Sequence, residues 1–129
     1  MTFDAIGIAG SGLSTHRVWL DALSDNIANI NTAVSSDDAA FQQRYVAVQA
    51  ADGGGVRVAG ALFGSDEGRL VHDPTNPLAG EDGYVRYPDI DLGEQMGHLI
   101  MAQRGYQANA AVVDRAKTAY EAALQIGRS

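Results

Sequence analysis

Five residues in the last third of the chain fall seven apart: Leu92, Leu99, Tyr106, Val113 and Tyr120. The first third repeats the pattern with Ile6, Leu13, Leu20 and Ile27. A residue of this kind at every seventh position keeps one stripe of an α-helix turned toward a partner. A seam at each end therefore predicts two long helices built to pair. In a chain of 129 residues the material between the seams is thin. Such a chain cannot easily bury both stripes itself, so they are expected to bury against copies of it or close relatives.

The first helix is predicted over about residues 3–30, where Leu23 and Ile30 add a second stripe. Gly7, Gly10 and Gly12 each weaken its opening turns by about 1 kcal/mol relative to alanine, which predicts an end that frays without a partner. Asn29, Asn31 and Thr32 then stop it, because their short polar side chains compete for the backbone. The last helix is predicted to start near Asp89 or Asp91. Either carboxylate can cap it, and both suit the positive end of its dipole. It runs to about Ile126, on the order of 50 Å. Met96, Gln103 and Leu124 are placed with its seam as assembly residues. Ala102, Ala116 and Ala123 lie three residues after seam positions, where a neighbouring helix can approach closely. Asn109 takes the equivalent place mid-helix, and a polar residue there sets register at some cost in stability.

The middle changes period. Residues 32–40 read as a polar loop, and 41–50 are rich in β-formers such as Tyr45, Val46 and Val48. Gly53-Gly54-Gly55 marks a turn and Val56-Arg57-Val58 resumes alternation, a β-hairpin that Ala61-Leu62-Phe63 extends. Leu70-Val71 and Tyr84 to Pro88 are short extended pieces, separated by the turn-rich Asp73-Pro74-Thr75-Asn76-Pro77-Leu78. The expected fold is α+β and mainly helical, with long terminal coiled-coil-type helices and a small central β-hairpin region. Its parts are an N-terminal helix over 1–32, a β-rich region over 33–88 and a C-terminal helix over 89–129.

Composition narrows the function. Net charge is −7, with one lysine, Lys117, and no cluster of cations, which argues against nucleic acid and anionic membrane as partners. There is no cysteine, hence neither disulfide nor thiolate chemistry. No apolar run approaches the roughly 18 residues needed to span a bilayer. The opening residues carry Asp4 where a cleaved secretory signal would be basic, so none is expected.

Patterns that suggest chemistry are weak. Gly7-Ile8-Ala9-Gly10-Ser11-Gly12 has the wrong glycine spacing for a dinucleotide loop and no complete strand before it. No two of His16, His72 and His98 share a helical turn, although His16 and His98 can face each other between the helices. A metal-dependent enzyme would have to combine these histidines with Asp91 and Glu94, but acids at a helix start are ordinary capping groups. No catalytic residue, cofactor site or metal site is assigned.

The segment from Met96 to Asn109, reading Met-Gly-His-Leu-Ile-Met-Ala-Gln-Arg-Gly-Tyr-Gln-Ala-Asn, resembles the terminal signature of bacterial flagellar axial proteins, the rod, hook and hook-associated proteins. The stretch from Leu20 to Thr32 is similar to their Asn-Leu/Ile-Ala-Asn-x-x-Thr motif. Residues 71–79 together with 83–91, and the short length, most resemble the small proximal-rod members of that family. The family usually has Asn where Asp89 stands, and a Glu-Met pair where Gln95-Met96 stands.

The resemblance implies a structural subunit of the proximal rod of the flagellar basal body. Its terminal helices would pair within the subunit and pack against neighbours to form a torque-transmitting tube. It implies copies of the chain, other rod proteins, the base-ring adaptor and the flagellar type III export apparatus as partners. It also implies a periplasmic rod location reached without a cleaved signal or membrane insertion. A cytoplasmic coiled-coil adaptor forming a closed dimer is the alternative. Assembly is expected to rest on Ile6, Leu13, Leu20, Leu23, Ile27 and Asn29 of the first helix. In the last helix it is expected to rest on the five heptad residues with Met96, Gln103, Asn109 and Leu124.

Overall fold

The computed structural model describes residues 2–128; Met1 and Ser129, the ends of the predicted terminal segments, lie outside the described residues. Helix α1 spans Thr2–Ala28 and α2 spans Leu92–Gly127. Between them lie β1 (Val34–Ser35), β2 (Arg44–Ala50), β3 (Val56–Phe63), β4 (Arg69–His72) and β5 (Tyr84–Tyr87). The α+β class holds, with two long helices and small sheets.

The chain forms two compact units, and both helices and the β2–β3 pair contribute to each. Of the described residues, the first unit holds 2–20, 46–60 and 100–128, and the second holds 21–45 and 61–99.

In the first unit, β2 and β3 form the predicted hairpin, turned at Gly53-Gly54-Gly55. Gly55 has φ +87° and lies against α1, where a Cβ would meet Ser11. The Ser11 hydroxyl donates to the Ile8 carbonyl at 2.6 Å and accepts from the Val56 N–H at 3.1 Å. One residue of the glycine-rich opening thus fastens the hairpin to the helix. The helix runs unbroken through that opening.

The second unit contains a sheet that the hairpin reading did not anticipate. Its order is β1-β5-β4, all antiparallel. β1 lies inside the segment read as a polar loop: Val34 pairs with Arg86 and Ser35 with Val85. Two residues are too few to show an alternating pattern. Val85, on the central strand, is wholly buried, as is Pro88 just beyond it. The loop from β4 to β5 is organised by Asp73. Its carboxylate accepts from the Thr75 hydroxyl at 2.9 Å, and its N–H donates to the Gly83 carbonyl at 2.9 Å. Of the two candidate caps, Asp91 serves: its carboxylate accepts the Glu94 N–H at 2.8 Å. Glu94 falls at the third helical position, the Asp-x-x-Glu spacing of a capping box.

Candidate assembly surface and the contacts that position it

The two helices run antiparallel. In the first unit Gly12 of α1 lies against Asn109 of α2, and His16 lies against Gly105. Four residues forward on one helix match four back on the other. A Cβ added to Gly12 would come within 2.5 Å of Oδ1 of Asn109, and one added to Gly105 would strike the His16 ring. Each polar side chain also turns back on its own helix. His16 Nδ1 donates to the Gly12 carbonyl at 2.7 Å, and Asn109 Nδ2 donates to the Gly105 carbonyl at 2.8 Å. The two helices therefore exchange the same device: a polar residue bonds the glycine four before it and covers the glycine opposite. His16 is occupied in this way against Gly105 rather than against a second histidine. Gly12 is buried beneath Asn109, so it permits a close approach that alanine would block.

The second unit ties the helices together through buried amides. Asn26, wholly buried, donates from Nδ2 to Gln95 Oε1 and to the Arg44 carbonyl, both at 3.0 Å. Its Oδ1 accepts the Arg44 N–H at 2.8 Å. Gln95 is also wholly buried, and its Nε2 has no hydrogen-bond partner among the described residues. The Asn29 side chain donates to the Asp25 carbonyl at 2.8 Å, and the Thr32 N–H closes on the Asn29 carbonyl at 3.0 Å. The Asn-x-x-Asn-x-x-Thr pattern therefore ends α1 and anchors the base of β2 to it. Asn26 and Gln95 were not among the candidate site residues; the signal for Asn26 was its place in that pattern.

The predicted assembly residues divide by burial. On α1, Leu23 is buried, while Ile6, Leu13, Leu20 and Ile27 are half-buried, as is Asn29 just beyond its end. On α2, Leu99, Asn109, Val113 and Tyr120 are half-buried. Leu92, Met96, Gln103, Tyr106 and Leu124 face outward, with Leu92 50% and Met96 44% exposed. The line that meets α1 is the one three residues after the seam: Gln95 and Ala102 are wholly buried there, and Asn109 covers Gly12. At about 100° per residue, Leu92, Met96 and Tyr106 fall on one flank of that line. Met101, 60% exposed, and Val112 fall on the other.

The residues considered for metal chemistry are engaged elsewhere. The His72 ring stacks edge-on to Tyr84 at 5.0 Å, and Asp91 is spent on capping. Among the described residues no three His, Cys, Asp or Glu side chains are grouped to hold a metal ion. A small apolar cavity in the first unit is lined by Thr15, His16, Trp19, Val46, Val48 and Val56.

Residues 6–33 match the family described as "Flagella basal body rod protein". Residues 81–126 match "Flagellar basal body rod FlgEFG protein C-terminal". The chain is 36% identical over 126 residues to the flagellar basal-body rod protein FlgC of Yersinia enterocolitica, covering 94% of each chain. The chain belongs to the FlgC family of flagellar basal-body rod proteins. The FlgC of Salmonella typhimurium is 34% identical over the same span. That of Bacillus subtilis is 28% identical over 147 residues, covering 98% of each chain. The FlgC family gives the function: a structural subunit of the flagellar basal-body rod. The two family matches cover most of both helices and β5, the central strand of the three-stranded sheet. The unmatched stretch, 34–80, contains the hairpin.

Proposed function

We propose that the chain builds the proximal part of the rod by laying both flanks of α2 against neighbouring subunits. The carrying observation is that α2 exposes large apolar side chains on both sides of its contact with α1, Leu92 and Met96 on one and Met101 and Val112 on the other. Exposed apolar surface of this kind is a mark of interaction sites. An isologous dimer covers one self-complementary patch, whereas a helical tube surrounds each inner helix with several neighbours. Two flanks favour the tube over the closed dimer.

On this reading the helix pair has coiled-coil character only in the assembly, where the outward seam of Leu92, Met96, Gln103, Tyr106 and Leu124 meets neighbouring helices. The half-buried Ile6, Leu13, Leu20 and Ile27 take part from α1. The terminal helices form the core and residues 33–88 the outer part. Torque passes through packed side chains, so no cofactor and no chemistry are needed. The subunit travels through the flagellar type III export apparatus. It joins other rod proteins and the base-ring adaptor in the periplasm.

The test is deletion of the gene in its own bacterium, with complementation. Restored swimming and complete rods are expected from the intact gene and not from Met96→Asp. Normal rods built from Met96→Asp would remove the α2 seam from the assembly; normal flagella in the deletion strain would remove the reading altogether.

A further inference from the structure

Charge is divided unevenly between the two units. Residues 21–45 and 61–99 hold twelve aspartates and glutamates against Arg44, Arg69 and Arg86, a balance of −9. The rest of the chain holds four acids against five arginines and Lys117, a balance of +2.

Within the acidic unit, one face of the three-stranded sheet is partly exposed, with Val34 and Arg86 half-buried on it. Strand partners share a face, so Val34, Arg86 and Leu70 stand in one row and Tyr84 and His72 in the next. The opposite face carries the buried Val85. Leu70 is 52% exposed and Tyr84 39%. Acids border this face. Asp37, Asp38, Asp66 and Glu67 surround Arg86, and Glu81 and Asp82 continue the border through Asp37. Arg86 does not neutralise them through ion pairs: its guanidinium donates to the backbone carbonyls of Ser36, at 2.6 Å, and Glu67. The salt bridge found among the described residues, Arg44 to Asp25, involves none of the six.

The first unit offers the complement. Arg104 and Arg115 are exposed, lie three turns apart on α2 and so share a face, about 16 Å from each other. Met101 and Val112 lie on the same side, exposed and apolar.

We propose that the acid-bordered sheet face of one copy receives the Arg104–Arg115 flank of α2 from a second copy. The inference rests on the rod reading and names one contact in it. Leu70 and Tyr84 meet Met101 and Val112, while the surrounding carboxylates meet the two guanidinium groups. The contact joins different patches on two copies, so it propagates instead of closing. Its charged border steers the approach and fixes register, and salt weakens it.

The experiment uses charge reversal and its reciprocal in the deletion strain. Asp37→Arg with Asp66→Arg is expected to reduce swimming at least about fivefold. Adding Arg104→Glu with Arg115→Glu to the same chain is expected to restore it. Far-ultraviolet dichroism and the urea midpoint of the purified variants should match the parent, since all four positions are exposed. The smaller pair Asp37→Asn with Asp66→Asn should show a weaker form of the same defect. Normal swimming by both acidic-face variants overturns the proposal. So does a defect that the reciprocal change leaves uncorrected, which would assign the face to a different protein. Recovery of the parent chain in purified basal bodies separates these outcomes from failure of the rod reading.

Discussion

Asn109 covers Gly12 from the opposite helix so closely that a single added carbon would fall 2.5 Å from its amide oxygen. The reciprocal contact, His16 on Gly105, has the same logic. At these two points of the first unit, helix spacing is set by glycine and by polar side chains tied to their own backbone.

Gly12→Ala and Gly105→Ala should each destabilise the chain by about 1–3 kcal/mol, because the crowded partner sits on a helix that must shift. Gly97→Ala is the control: a Cβ there meets nothing within 4 Å. It should stabilise the helix by about 0.5–1 kcal/mol through propensity alone. Urea unfolding of the three variants checks the order, and equal costs would remove the close-contact explanation.

Asn26→Ala should cost about 3 kcal/mol. It strands the Arg44 N–H and carbonyl along with Gln95 Oε1. Gln95→Leu should cost about 1 kcal/mol, since it loses one bond but also removes an unpartnered donor. Arg44→Ala should fall below about 1 kcal/mol, because its bridge to Asp25 joins side chains 44% and 50% exposed. Denaturation midpoints in that order support the amide network; a larger loss for Arg44→Ala than for Asn26→Ala contradicts it.

Val85→Ala should cost about 2 kcal/mol, from the methyl carbons removed and the space they leave at the centre of the β1-β5-β4 sheet. Amide exchange should report the loss first in β4 and β5. Protection lost evenly over the whole chain would instead mean that the two units open together.

Met96→Asp and Met101→Asp should both leave the purified chain folded, with urea midpoints close to the parent, since both side chains already face water. Each alone should block incorporation into rods. Failure of only one would reduce the assembly surface of α2 to a single flank.

Much of this architecture was legible in the sequence, for physical reasons that differ by element. The helices announced themselves by long periodic stripes, and the hairpin by β-branched residues around three glycines. Asp91 was one of two capping candidates because carboxylates suit a helix start. The three-stranded sheet was not legible: β1 has two residues, and its partner lies some fifty residues away in β5. The helix contact itself was only half visible. The apolar seam drew the eye, while Gly12, Gly105, Asn26 and Gln95 do the joining. Glycine in a helix looks like weakness until its opposite number is known. Buried Asn26 and Gln95 look like surface residues until they are seen bonded to each other.

The amide of Asn26 meets both the N–H and the carbonyl of Arg44, the way one strand meets the edge of another. Sliding α1 by one residue would break both bonds together with the one to Gln95. The helix and the base of the hairpin must therefore travel as one piece, like a key and its bow. Three hydrogen bonds made by one amide thus fix where the strand starts along the helix.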